Sequence, residues 1–323
     1  MIGVEPLKKF ISLNIFSDYL RGERPISSFI VAEPEHGKTE TLASFENVQG
    51  ILALFDVTAY GSATFIFSRI LAREIRRLIF PDFSRVLSRS RRVIDEVITM
   101  INAIIEDGIN WAILTKNVQW LPVESEKVYA GVTIALTPKS LDFIKKRYRE
   151  MGFLSRTLPY YYCYTEEDLK RIHENIKTGK AKFERLKLKL PKEDIEVSMS
   201  KELADMLDPA VKLLSKVLEA YTGFRLRRQL QTLCKANALI NNRTEVTKED
   251  VREVLAFTPF FFNPIKGDEC IWRILRVLPA KSEEIVKELA DYYSRRTIYN
   301  KLSELEKAGL IYRCGGLWKS ILL

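Results

Sequence analysis

The sequence predicts an α/β fold, with a parallel sheet in the front part of the chain and helices behind it. Three observations carry that expectation. Short apolar runs at Phe29-Ile30-Val31, Ile51–Phe55 and Leu78-Ile79-Phe80 are separated by segments of helical periodicity, as in parallel strands joined by crossovers. Only 14 Gly and 12 Pro in 323 residues argue against disorder and against an all-β chain. From Glu193 onward apolar residues recur at three- and four-residue spacing, so that stretch reads as helices.

Length allows two or three domains, and 46% hydrophobic with 29% charged residues is ordinary for a soluble globular protein. An excess of 51 basic over 42 acidic residues, +9, suits a polyanionic partner. Four scattered cysteines without a CxxC and only two histidines point away from a zinc site and toward a reducing cytoplasm. No signal peptide is expected from the chain's opening residues. Its longest apolar stretch, Val97–Thr115, carries Glu106, Asp107 and Asn110, so no membrane span is expected.

In chain order, Pro6–Arg21 places Phe10, Leu13, Phe16 and Leu20 on one helical face as a lead-in helix. The run Phe29–Val31 then feeds AEPEHGKTE, Ala32–Glu40, and a helix opens at Gly37-Lys38-Thr39. Strand, loop and helix in that order are a phosphate-binding arrangement, because loop N–H groups and the helix N-terminus together attract an anion. Lys38 is expected to reach the β- and γ-phosphates of ATP, and the Thr39 hydroxyl to ligate Mg²⁺. Glu33, Pro34, Glu35, His36, Gly37 and Glu40 complete the predicted nucleotide contacts. Ala32 stands where such loops usually carry their first glycine, so the turn must form without a positive φ there.

A second strand, Ile51–Phe55, ends in Asp56, and Tyr60-Gly61 reads as a turn into a helix, Ala63–Ile75. The run Leu78–Phe83 has the Walker B form, with Asp82 as the carboxylate for Mg²⁺. Its usual following glutamate, which polarises the attacking water, is replaced by Phe83. Asp56 is the substitute base, on the expectation that its strand neighbours the phosphate-loop strand. Arg91–Glu106 is a long amphipathic helix. Strand-like runs follow at Trp111–Thr115 and Val128–Leu136, the second ending at Thr137, which either senses the γ-phosphate or caps the next helix. An aromatic strand, Tyr160–Tyr164, follows Gly152–Arg156, and the basic stretch Lys177–Lys192 reads as an exposed linker or loop. Lys201–Ala220, Phe224–Asn241 and a helix capped by Thr247 with Asp250 form a small bundle. Phe257–Phe262 reads as a hinge. The tail fits a winged helix-turn-helix: helices Ile271–Leu278, Ser282–Ala290 and Ser294–Ala308, then a two-stranded wing. It holds ten basic against six acidic residues. Arg295, Arg296, Tyr299, Asn300 and Lys301 cluster near the start of its third helix, where such helices meet DNA; protein docking is the other use of the fold.

These motifs resemble the AAA+ ATPases, and within them the MCM-like helicase branch. AEPEHGKT is similar to the GDPxxxKS loop of MCM proteins, with Pro34 in the shared place. Gly152–Arg156 resembles the LLSRFD segment, which implies that Arg156 is an arginine finger acting on a neighbouring subunit. FRLRRQLQTLCKANA, Phe224–Ala238, resembles the RxLExLIRLAxAxA lid helix and assigns its sensor arginine to Arg225. The resemblance also implies a homo-oligomer, with a hexameric ring favoured, and a pore hairpin over Lys116–Lys127. Trp120 there would stack on bases while Lys116 and Lys127 meet phosphates, unless the segment is a plain β-hairpin around a packed tryptophan. The large N-terminal DNA-binding region of MCM helicases has no counterpart, so the chain reads as a reduced, mobile-element or virus-type relative.

The expected organisation is an AAA+ core over residues 1–192, a helical lid over 193–262 and a winged-helix domain over 263–323. The expected function is ATP hydrolysis with Mg²⁺ to act on DNA as a helicase, loader or origin remodeller. A nucleotide-gated DNA-binding regulator with slow turnover and a protein-remodelling ATPase are the alternatives.

Overall fold

The computed structural model describes residues 4–57, 59–109, 127–148, 152–164, 166–180, 183, 185–218, 222–262, 269–307 and 311–320. The chain divides into two compact units: Met1–Leu158 with Cys163–Glu196, and Pro159–Tyr162 with Val197–Leu323.

The first unit opens with α1 (Glu5–Ser17), which has Pro6 in its first turn and buries Leu7, Phe10, Ile11, Leu13, Ile15 and Phe16. Then come β1 (Ser27–Val31), α2 (Lys38–Ala43), β2 (Ile51–Ala53), α3 (Ala59–Leu71), β3 (Arg77–Phe80), α4 (Ser84–Leu87) and α5 (Arg91–Asn102). A π-helical turn at Ala103–Asp107 prolongs α5 and ends at Gly108, whose φ is 71°. After it come β4 (Gly131–Leu136), α6 (Pro138–Tyr148), a 3₁₀ turn at Leu154–Arg156, β5 (Thr157–Tyr161), whose last three residues are counted with the second unit, and α7 (Glu166–Lys177).

The five strands form one sheet in the order β2-β3-β4-β1-β5, with β2–β3, β3–β4 and β4–β1 paired in parallel. Every residue of β1, β3 and β4 is buried, as expected for strands covered on both faces. An ion pair lies within this core. Arg77, fully buried, donates from Nε and Nη2 to the two carboxylate oxygens of Asp18 at 2.8 and 2.6 Å. It also donates to Thr133 Oγ1 and the Ile26 carbonyl, both at 2.9 Å, and to the Asn14 carbonyl. Burial pushes the Asp18 carboxyl up to about 7, against the pull of Arg77. Gly131, paired with Arg77 in register, leaves room for the guanidinium: a Cβ there would lie 2.2 Å from Nη2.

The second unit holds α8 (Lys201–Asp205), α9 (Asp208–Val217), α10 (Phe224–Ile240) and α11 (Lys248–Leu255). It continues through a 3₁₀ turn at Thr258–Phe261 into α12 (Glu269–Val277), α13 (Ser282–Leu289), α14 (Arg295–Lys307) and an antiparallel hairpin, β6 (Ile311–Cys314) with β7 (Leu317–Ser320). The capping box at α11 forms as the sequence predicts, with the buried Asp250 carboxylate accepting from the Thr247 N–H at 2.7 Å. Gly315 and Gly316 both have positive φ, which the two-residue hairpin turn requires. Trp318 fastens the hairpin to the helices, donating from Nε1 to Ser282 Oγ at 2.8 Å.

Several sequence expectations are corrected. Tyr60-Gly61 lies inside α3 instead of forming a turn. Lys201–Ala220 is broken into α8 and α9, because Pro209 starts a new helix in its first turn. Residues 193–200 precede the first helix of that bundle. The expected hinge, Phe257–Phe262, contains the 3₁₀ turn Thr258–Phe261, with Phe257, Phe261 and Phe262 buried. The aromatic strand runs Thr157–Tyr161, four residues of which are buried. The strand-like run expected at Trp111–Thr115 lies outside the described residues.

Candidate functional site

Phosphate recognition needs backbone N–H groups that converge and a cation held beside them. The chain leaves β1 at Ala32, whose N–H still donates to Leu136 O at 3.3 Å, and turns through Glu33–His36 into α2. Two residues take left-handed backbone: Glu35 (φ 64°) and Gly37 (φ 70°). The turn therefore forms without a glycine at position 32, and a glutamate adopts one of the two left-handed conformations.

Lys38 folds back over the loop. Its Nζ donates to the carbonyls of Ala32 and Glu33 at 2.7 and 2.6 Å. Partial burial pulls its pKa down to about 8, against the opposing charges of Glu33 and Asp82. Thr39, exposed, donates from its hydroxyl to Pro81 O at 3.1 Å, which brings α2 to the carboxyl end of β3. Asp82 follows directly, its carboxylate accepting from the Ser84 N–H at 3.0 Å and facing Arg85 at 3.9 Å. Phe83 is fully buried with its ring edge-on to Phe80, so the residue after Asp82 belongs to the core.

β4 lies between β1 and β3, which places Thr137 at the same sheet edge as the loop and Asp82. Its hydroxyl accepts from the Ser140 N–H at 3.1 Å and so caps α6. Ligand groups gather at this edge of an open parallel sheet. An Mg²⁺–nucleotide fits the residues found there: a half-buried amine resting on carbonyls, a hydroxyl, and a half-exposed carboxylate within electrostatic reach of the amine. Among the described residues no cluster of three or more His, Cys, Asp or Glu is placed to hold a metal by itself.

Asp56 is corrected. β2 is the edge strand, three strand positions from β1, a lateral separation of about 14 Å at ~4.8 Å per strand. Its carboxylate is ion-paired with Arg89. The error came from assuming that strands consecutive in sequence are neighbours in the sheet.

Arg156 ends the 3₁₀ turn before β5 and faces Glu106 at 3.5 Å, the carboxylate that also holds Arg24 at 2.9 Å. Gly152, with φ 68°, leaves space for it: a Cβ there would meet Arg156 Nη1 at 2.6 Å. In the second unit Arg225 is exposed in the first turn of α10. On α14, Arg295, Arg296 and Asn300 are exposed, Arg295 lies over the Tyr299 ring at 5.6 Å, and Lys301 is paired with Glu304 at 2.8 Å. Lys127 is exposed. Lys116 and Trp120 lie outside the described residues.

One residue at the loop escaped sequence reasoning. The Tyr164 hydroxyl lies 2.8 Å from where a Cβ on Gly37 would stand, and its ring stacks on His36 at 5.1 Å, 7° from parallel. His36 Nδ1 in turn meets the Pro34 carbonyl at 3.0 Å. Burial, then Glu40 and Asp168, raise the Tyr164 hydroxyl above the usual phenol range. Its place just beyond the carboxyl end of β5 would have signalled this, had the β1–β5 adjacency been known.

No protein-family model matches the chain, and no curated protein matches it. Among solved structures it is similar to a full-length MCM homolog from Methanopyrus kandleri, at 12% identity and a TM-score of 0.48. The match covers 81% of this chain and 56% of that one, so the chain spans little more than half its length. At this identity and score the likeness carries nothing about activity. Among the described residues no helix is long and apolar enough to cross a membrane.

Proposed function

We propose that the chain is an ATP-dependent AAA+ protein that acts on DNA in an oligomeric ring, as an MCM-like helicase, loader or origin remodeller. The carrying observation is the gathering of Lys38, Thr39 and Asp82 at one sheet edge, around a loop with two left-handed residues. Lys38 and the loop N–H groups would hold the β- and γ-phosphates, while Thr39 and Asp82 would hold Mg²⁺. The metal, when bound, offsets the charge that develops on the transferred phosphoryl group. The Lys38 amine exchanges two carbonyl contacts for phosphate oxygens, which favours its charged form.

Arg156 supplies the transition-state charge in trans. Tyr164 lies at the loop, whereas Arg156 precedes the other end of β5, a strand spanning about 17 Å. It is therefore far from its own phosphate loop and serves a neighbour's after leaving Glu106. Arg156→Ala should keep ATP affinity and lower turnover, with some activity returning on mixing with Lys38→Ala subunits. No return at any mixing ratio counts against a shared site. The α12–α14 helices and the hairpin act as a winged helix, presenting Arg295 and Arg296 to DNA.

The test is the ATPase rate with and without single-stranded and duplex DNA. Stimulation by DNA supports the reading. A second reading, a nucleotide-gated regulator with slow turnover, is favoured by one observation: Phe83 is buried after Asp82, and Asp56 is held by Arg89, so no sequence-expected base faces the loop. Tight ATP binding with barely measurable hydrolysis, with or without DNA, would select it.

A further inference from the structure

We propose that residues 185–192 form a fixed basic edge that grips the phosphodiester backbone of nucleic acid without reading its sequence. The run Arg185-Leu186-Lys187-Leu188-Lys189-Leu190-Pro191-Lys192 carries four basic residues and no acidic one. Its burial alternates: Arg185, Lys187 and Lys189 are exposed, while Leu186, Leu188 and Leu190 are half-buried. That two-residue period puts Arg185, Lys187 and Lys189 on one face, about 6.6 Å apart in extended chain, with the exposed Lys192 just beyond Pro191.

The segment is pinned at both ends. The Leu186 N–H donates to Ser44 O at 2.8 Å, and Arg185 pairs with Glu46 at 3.2 Å, just past α2. Beyond the run, the Ile195 N–H donates to Tyr19 O at 2.8 Å, the Arg21 N–H donates to Ile195 O at 2.9 Å, and Asp194 is held by Arg76 and Arg73. The exposed linker expected from sequence is thus tied to the first unit. Among the described residues, Lys187, Lys189 and Lys192 face no carboxylate within ion-pair distance. Among the described residues their charge is left for an outside anion, and a backbone already fixed loses little entropy on binding.

The proposal shares with the proposed function only the premise that the chain binds DNA. The experiment measures binding of the full chain to a random-sequence duplex by fluorescence anisotropy, across about 50–200 mM salt. Combined Lys187→Gln, Lys189→Gln and Lys192→Gln should lower the slope of log K against log[salt] by about 2–3. Affinity at low salt should fall at least about tenfold, with the melting temperature kept. A control with equal charge loss, Lys201→Gln, Lys212→Gln and Lys248→Gln, should change the slope by under about 0.5. An unchanged slope in the first variant, or an equal loss in the control, overturns the proposal. If Arg295→Ala with Arg296→Ala abolishes binding while the 187/189/192 variant keeps it, this proposal fails and the proposed function stands. A parent chain that binds no DNA removes both.

Discussion

The two ends of the parallel sheet treat their charges in opposite ways. At the end where β3 and β4 begin, Arg77 and Asp18 are sealed from water and each guanidinium nitrogen is bonded, with Gly131 kept bare to admit them. At the end where β1, β3 and β4 finish, Lys38, Thr39 and Asp82 are part-exposed, and Lys38 and Thr39 make do with backbone carbonyls. A sealed pair holds one arrangement and is costly to disturb. Carbonyl contacts to a part-exposed amine are readily exchanged for a stronger anionic partner. The polar groups at the first end hold the fold, and those at the second are available to a ligand.

That contrast is most sharply broken at Asp18. Asp18→Asn leaves a buried guanidinium without its counter-ion, and unfolding free energy should drop by about 3–5 kcal/mol in urea titrations. ATP affinity of the folded fraction should be unchanged; a matching loss of affinity would mean that the two ends are not separate.

Lys38→Ala should do the reverse. ATP affinity falls on the order of a hundredfold, since a charge-assisted contact is lost, while thermal stability holds. Because Lys38 titrates near pH 8 without ligand, raising the pH through that value neutralises it and weakens ATP binding. Phosphate restores its charge, so calorimetry in two buffers at about pH 9 should show proton uptake that the variant lacks. Absence of uptake in the parent would place Lys38 away from the phosphates.

Tyr164→Ala tests whether the loop is held from outside. Losing the stack on His36 should weaken ATP and inorganic triphosphate alike, by about three- to tenfold, while Tyr164→Phe stays near the parent. Weakening of ATP alone would mean that the ring contacts the base.

The smallest effect is expected at Asp56. Paired with Arg89 and separated from β1 by two strands, it should tolerate replacement by Asn with less than about a twofold change in turnover. A tenfold loss would return it to the catalytic groups.

By itself the sequence determined what depends on neighbours along the chain. The order β1, loop, α2 follows from an apolar run stopped at Ala32 and a Gly-Lys-Thr opening; the Thr247–Asp250 cap and the Gly315-Gly316 turn follow from local backbone chemistry. Tertiary structure decided what depends on which strands pair. Strand order moved Asp56 to the far edge, set Thr137 between the loop and Asp82, and brought Tyr164 against Gly37. It also paired Arg77 with Asp18 across 59 residues and Arg156 with Glu106 across the sheet connections. A buried charge selects its partner by desolvation and geometry in three dimensions, and neither leaves a periodic trace in the sequence.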